Sequence, residues 1–508
     1  MSRLCGAAIV RTALVWAILT CGPVFAAPVG SPSSDLALLD ALTWGATPTS
    51  FSALRAQGRE AWLSAQLRPS HAMALPPVAQ AQIHSIQPQG ALIDRVVAFD
   101  AQAKAANGLA DLNAKKAAQS AYQGALNDAY RQSLTATILR ALYAPDQVRE
   151  RMTWFWFNRF NVHQGKANLR VLVGDFLDTA IRPNALGRFR DLLTATLEHP
   201  AMLRYLDNVE NAAGRLNENY ARELMELHTL GVGGGYAQHD VEELARILTG
   251  AGIDSRPENP RVKPELQGDL VRKGLFLFNP ARHDYGSKVL LGHTIHSRGY
   301  AEIEEALDVL ARHPATARNV SRAMALYLMG RSPSNALVDR LAAVFTRTDG
   351  DTAAVLGALV HSPEFVDAAG SGFKDPVRYV FSALRLAYDD RVILNTTPVQ
   401  NWLNRLGEGL FNRSTPDGYP LDAAAWSGPG QLTMRFEIAR QIGSGSAGLF
   451  KSGALDAVEE PAFPLLQNGL YFGPLMATLT PRTRDALRRA VSPQDWNTLF
   501  LSSPEFMH

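Results

Sequence analysis

Cysteine is nearly absent. The 508 residues carry two, Cys5 and Cys21, and both lie near the N-terminus. Cleavage after Ala26 leaves a mature chain with no thiol, which excludes disulfides, thiolate metal sites and cysteine nucleophiles there. An excess of charge is also missing: 50 Lys and Arg stand against 48 Asp and Glu, a formal +2. Loss of Arg3 and Arg11 with the leader brings the mature balance to zero, so no phosphate-tracking nucleic-acid surface is expected. The chain has no H-E-x-x-H pair, no lysine-bearing phosphate loop and no G-x-S-x-G elbow near an acid/histidine set. Zincin, nucleotide-cradling and serine hydrolase readings therefore have no motif to rest on.

What is present begins with an export signal. Arg3 and Arg11 precede the mostly apolar run Thr12–Phe25, and Val24-Phe25-Ala26 fits a small-residue cleavage site. The run is too short and too interrupted for a permanent transmembrane helix. Cys21 offers a lipoprotein alternative, against which stands the threonine directly before it in Ile18-Leu19-Thr20-Cys21. The expected location is periplasmic or secreted, and export argues against ATP-driven chemistry. The remaining chain of about 480 residues is long enough for a large core without disulfide staples.

The pattern predicts an all-α fold: one large helical domain over 27–508, with a C-terminal helical subdomain possible from about 371, and a minor β-hairpin. Helical spacing covers Asp35–Ala41 and Pro48–Leu67, followed by a Pro-punctuated connection from Pro69 to Pro88. It resumes from Gly90 to Phe160, with breaks near Gly108 and at Ala144-Pro145-Asp146. Later helices fit Leu186–Leu197, Pro200–Asn211, Glu218–Leu230, Val241–Gly250, Tyr300–Ala311, Pro314–Leu328 and Thr352–Leu359. Asp240-Val241-Glu242-Glu243 reads as a capping box, and His199-Pro200 and His313-Pro314 put proline in a first turn. Ser362-Pro363-Glu364-Phe365 and Ser503-Pro504-Glu505-Phe506 echo one another as helix starts. Gly274–Phe278 and Lys288–Gly292 read as two strands of a hairpin presenting His283 and Asp284 near its tip.

The densest polar stretch is Asn217–His228. Asn219, Arg222, Glu223 and Glu226 share one helical face, while Tyr220, Leu224 and Leu227 form an apolar one. One turn apart, the carboxylates of Glu223 and Glu226 can approach within about 6 Å, which raises one proton affinity. That suits a general acid, with Arg222 holding the other carboxylate ionised. The competing reading is an ion network that binds this helix to its neighbours. Gly231–Gly235 follows the helix, and reads as a helix stop rather than a phosphate cradle.

Other groups offer the same pair of readings. His228, His239, Asp240, His283 and Asp284 suggest ligands, but their spacing matches no standard zinc pattern. Asp240 also reads as a cap and His283-Asp284-Tyr285-Gly286 as a polar turn, so no metal is assigned. The block Trp154–Asn161 is either core or a stacking platform with Trp156 and Asn158 reaching substrate. Ser414–Pro420 is a turn, with Tyr419, Trp426 and Arg435 as lid or rim residues.

With Trp154–Asn161, His199–Asn208, Asn217–Val232, Asp240–Gly250, His283–Gly292, His313–Ala317 and Pro416–Trp426 in view, the chain strongly resembles the bacterial domain-of-unknown-function 1800 family. The resemblance runs from about Leu38 to the C-terminus, and Asn-Glu-Asn-Tyr-Ala-Arg-Glu-Leu-Met-Glu-Leu-His-Thr-Leu-Gly is its most specific block. It implies an exported, largely helical protein, often encoded beside a second exported family with a phosphatase/sulfatase-like fold. It brings no established activity. Related sequences often carry histidine where this chain has Arg159.

Three functions follow as expectations. The first is an extracytoplasmic hydrolase or lyase acting on a polymer, a glycan above all. Its general acid is Glu223, and Glu226 or Asp284 is base or stabiliser. Asn219, Arg222, His228, His283, Trp156, Asn158, Tyr419, Trp426 and Arg435 bind substrate, and no cofactor is required. The second is a non-catalytic binding or assembly protein working with an exported partner. The third is a metal-dependent enzyme.

Overall fold

The computed structural model describes residues 31–69, 74–88, 90–451, 463–468 and 472–508. The expected export signal, with Cys5 and Cys21, lies outside the described residues. Helix accounts for 64 % of the chain and strand for 4 %, so the fold is all-α with a minor β component. Among the described residues no helix is long and apolar enough to cross a membrane.

Local chemistry sets most helix starts. Ser31, Thr47, Asp111, Ser334, Asp351, Asp375, Thr480 and Ser492 each accept a first-turn amide as N-caps, several with proline next in line. The two His-Pro pairs use a less common cap: Nδ1 of His199 accepts the Ala201 amide at 3.1 Å and Nδ1 of His313 accepts that of Ala315 at 3.2 Å. The Ser-Pro-Glu echo is structurally real at both copies. Ser362 caps Phe365, Ser503 caps Phe506, and the two glutamates reach back to Arg340 and to Thr480 and Thr483.

Helices occupy Pro32–Leu42, Pro48–Gln57 and Arg59–Leu67, and then Leu92–Gly108, Leu112–Tyr143 and Gln147–Arg159. The breaks at Gly108 and Ala144–Asp146 fall where expected. The Pro69–Pro88 connection does not stay irregular: Pro77–Ile86 is helical, because Pro77 occupies a first-turn position where it favours a helix.

Gln147–Arg159 is the hub. Trp154, Phe155, Trp156 and Phe157 are all buried, which happens when a helix is covered on every side. Trp154 stacks on Phe157 at 5.6 Å, and Phe411 meets Phe157 at 4.9 Å from a distant stretch of chain. Trp156 packs on Phe189, and its indole N–H donates to the Ala185 carbonyl at 2.9 Å. Trp156 is therefore core and not a stacking platform for substrate. One cluster of buried side chains runs from Leu36 to Met507.

The strands form two small sheets. β1 (Ala251–Ile253), β2 (Val271–Lys273) and β3 (Phe276–Phe278) make an antiparallel sheet in the order β1-β3-β2. β4 (Lys288–Leu290) pairs with β5 (His293–Ile295) in the other. The segments 274–278 and 288–292 thus do not pair with each other. Gly274 and Gly292, with φ of +59° and +82°, make tight reversals that give each strand a nearer partner. His283 and Asp284 lie in the connection between the sheets.

Candidate active site

The Asn217–His228 stretch opens on an asparagine ladder. Asn211 Oδ1 accepts the Asn217 amide and Asn217 Oδ1 accepts the Asn219 amide, both at 3.0 Å. Asn219 donates its side-chain amide to the Leu206 carbonyl at 3.1 Å, which ties the helix start to the preceding segment. Asn219–Glu223 is α-helical, but Leu224–His228 widens into a π turn. π turns are rare and concentrate at functional sites. The extra residue rotates later side chains about the axis, so Met225 is fully buried with Tyr220 and Leu224 while Leu227 is only half-buried. Gly231, at φ +87°, ends the turn by donating its amide to the Met225 carbonyl at 3.2 Å.

The polar face gathers three carboxylates. Burial raises the proton affinity of Glu223, the nearby Glu226 and Asp417 charges add to the rise, and Arg222 opposes it. Arg222 donates to Glu218 at 2.9 Å and Gln238 at 2.8 Å, and lies 3.6 Å from Glu226. Glu226 also meets the Tyr236 hydroxyl, whose proton is held more tightly by burial and by that carboxylate. On the other flank, burial with the charges of Asp417 and Glu223 pushes the Tyr205 phenol up to about 12.

Asp417 comes from the 413–420 loop, which the aromatic hub holds in place. The Asn158 side chain accepts the Tyr419 amide at 2.6 Å and donates to the Tyr419 carbonyl at 2.9 Å. Asn161 donates to the carbonyls of Arg413 and Thr415, and the Tyr205 hydroxyl donates to that of Ser414 at 2.8 Å. Gly418 has φ +73°, and a Cβ there would lie 2.0 Å from the Asn158 carbonyl oxygen. Arg413 grips Asp417 with a bidentate pair at 2.9 and 3.1 Å, and Thr415 donates to it as well. Sequence reasoning placed this loop in the site but read Pro-Asp-Gly only as a turn. Neither Asp417 nor Tyr205 and Tyr236 was singled out, because no local spacing links them to Glu223.

Several expected binding residues do structural work instead. Asn158 is buried and spends its amide on the loop. Tyr419 and Trp426 are buried, with Tyr419 donating to Gly409 O at 2.8 Å and Trp426 to Pro420 O at 3.0 Å. Arg435 is fully buried, lying over the rings of Phe373 and Tyr379 at 4.6 and 4.7 Å, and burial lowers it to about 10. His228 is fully buried against Phe160 at 4.7 Å, and burial together with the Arg159 charge lowers it to about 3.

His283 and Asp284 belong to another network. The His283 ring reaches the Thr249 carbonyl at 2.8 Å and Glu302 at 3.1 Å, with no side-chain exposure. Lys288, equally buried, donates to Glu302 and to the Asp284 carbonyl. Asp284 is clamped by Arg246 at 2.9 and 3.1 Å, which holds its carboxyl down at about 2. A group so paired is a poor base. Asp240 is not an N-cap but the third residue of the Gln238–Ile247 helix, accepting the Ala237 and Leu291 amides. With Glu243 accepting Val289 N–H at 2.7 Å, it fastens this helix to the edge of β4.

Among the described residues, no group of three His, Cys, Asp or Glu side chains is arranged to hold a metal ion. The arrangement centred on Glu223 can donate a proton from that carboxyl, with Glu226 3.6 Å from Arg222 and Asp417 paired with Arg413. No curated protein and no solved structure matches the chain. The family model described as "Protein of unknown function (DUF1800)" matches residues 37–508, nearly the whole chain, and the protein belongs to that family.

Proposed function

We propose that the protein is an exported hydrolase or lyase that acts on a polymer outside the cytoplasm, a glycan, by acid/base chemistry centred on Glu223. The observation that carries this reading is the half-buried Glu223 carboxyl, whose proton is held by burial and by two neighbouring carboxylates. Glu223 is the acid that protonates the leaving oxygen. Two acids on one helix face cannot flank a scissile bond by themselves. Asp417, on a separate loop, supplies the second direction; held by Arg413 and Thr415 it is a stabiliser, and Glu226 is the base or a second stabiliser. Turnover needs the protonated Glu223, so activity falls as pH rises through its raised value. A screen of periplasmic and cell-wall glycan oligomers is expected to give product with the wild type. Glu223→Gln should lose it with an unchanged circular dichroism spectrum and melting temperature. No turnover on any such glycan would remove the proposal.

A second reading has its own observation. Glu218, Arg222, Gln238 and Glu242 form a chain of side-chain hydrogen bonds across an accessible face between two helices. Such a face suits assembly with an exported partner. On that reading Glu223→Gln lowers the melting temperature or abolishes partner capture, and no glycan is turned over.

A further inference from the structure

A cleft of about 450 Å³ opens between the end of the Pro200–Tyr205 helix, β1 and the Pro280–Arg282 turn. This is within the size range of small-molecule sites, roughly 300–1,000 Å³. Gly250 and Gly252 line it at the edge strand of the sheet, so its floor is largely bare backbone. A Cβ at Gly252 would meet nothing closer than the Leu277 carbonyl at 3.9 Å and Arg282 Nη1 at 4.0 Å.

The lining is cationic: Arg204, Arg256 and Arg282 stand against one carboxylate, Asp254. Asp254 is already taken, since Arg256 donates to both its oxygens at 3.0 and 2.7 Å and Arg272 lies 3.6 Å away. Arg204 donates to Asn168 and lies 3.5 Å from Asp100. The acids of the adjoining segment, Asp207 and Glu210, pair with Lys166 and Arg215. Arg282 has no carboxylate partner among the described residues. Its Nη2 donates to the Val209 carbonyl at 2.8 Å and the Asn211 carbonyl at 3.3 Å, while Nη1 makes no hydrogen bond among them. Arg204, Arg256, Arg272 and Arg282 thus share only Asp100 and Asp254, which leaves positive charge and an unused guanidinium edge for an oxyanion.

The cleft also adjoins the Glu223 site. Asn211, whose carbonyl accepts from Arg282, holds the Asn217 amide with its side chain. Tyr205, which flanks Glu223, directly follows Arg204. The segment 204–211 therefore contributes to both.

We propose that this cleft binds the oxyanion of an acidic sugar unit, with Arg282 Nη1 as a donor; that the ligand is a sugar rests on the reading of Glu223 as a glycan-active acid. Isothermal titration calorimetry of the full chain tests it with glucuronate, glucose 6-sulfate, glucose 6-phosphate and glucose. At least one of the three acids should bind saturably, one per chain, and at least tenfold tighter than glucose. The tightest of them identifies the oxyanion. Arg282→Gln, and Gly252→Leu, which fills the cleft floor, should each weaken that binding at least tenfold with the circular dichroism spectrum unchanged. Arg256→Gln, at an exposed side chain, should weaken it by at least about threefold. Glu223→Gln should bind as the wild type does. No saturable binding, equal binding of acids and glucose, inorganic sulfate and phosphate binding as tightly as the sugar acids, or binding unchanged in the folded variants would overturn the proposal. Glycan turnover without acid binding would remove the cleft and keep the Glu223 reading, and acid binding with no glycan turned over would do the reverse.

Discussion

Arg159 and His228 are joined through the His228 backbone carbonyl and not through its ring. Arg159 Nε donates to the His228 carbonyl at 3.2 Å, while Nη2 of Arg159 and both ring nitrogens of His228 have no hydrogen-bond partner among the described residues. The polar ends of both residues are therefore buried at a cost that packing must offset. Burial lowers Arg159 to about 10, and burial with the neighbouring guanidinium lowers His228 to about 3.

The His228 value fixes a pH dependence. Its folded value lies below the ordinary 6.5, so folding favours the neutral ring. That stability is complete above pH 6.5 and is lost as pH falls towards 3. At about 1.36 kcal/mol per unit, full expression is on the order of 5 kcal/mol. Denaturant unfolding between pH 7 and pH 4 should show the wild type losing several kcal/mol more than His228→Leu. Parallel losses would refute the assignment.

The loop that carries Asp417 should fail without its anchor. Gly418→Ala forces both a left-handed backbone and a clash with Asn158, and should cost about 1–3 kcal/mol. Asn158→Ala leaves the Tyr419 amide and carbonyl without partners, for about 1–3 kcal/mol per group. Both variants should lower melting temperature and turnover together. A variant with full stability and full activity would show that the loop needs no such anchor.

Glu302 should matter for folding and not for chemistry. Glu302→Ala leaves Lys288 buried without its carboxylate and His283 without one contact, a loss of about 3–5 kcal/mol. Calorimetry should show a large fall in melting temperature. KM and kcat, measured below the new transition, should match the wild type.

Much of the fold was legible because its signals are local. Ser-Pro, Asp-Pro and His-Pro starts, the apolar spacing and the breaks at Gly108 and Pro145 each act within a few residues. The aromatic block shows the limit: Trp156 and Phe157 at helical spacing fit either a core or a platform, and Phe411 and Phe189 decide the matter from far along the chain. The strand segments at 276–278 and 288–290 were legible but their partners were not, because pairing depends on the turns at Gly274 and Gly292. In the site, Glu223 and Glu226 followed from one helix turn. Asp417 did not, since Asn158 and Gly418 bring it in across 261 residues of sequence between Asn158 and Tyr419. The π turn was equally invisible, and it is what turned His228 inward.

Neighbouring charge should also set the pH profile of turnover. Glu226→Gln removes one of the carboxylates that raise Glu223, so the alkaline limb of the kcat/KM that survives loss of this base or stabiliser should move to lower pH. A limb at the wild-type position would mean that Glu223 is not the titrating acid.

The most direct test is a site-resolved titration of the Glu223 carboxyl by carbon NMR, with Glu223→Gln to assign the signal. Glu223 should titrate above the ordinary value of about 4.5, and its midpoint should fall in both Glu226→Gln and Asp417→Asn. A midpoint at or below 4.5, unmoved by either substitution, would contradict the account of Glu223 as a proton donor held by its neighbours.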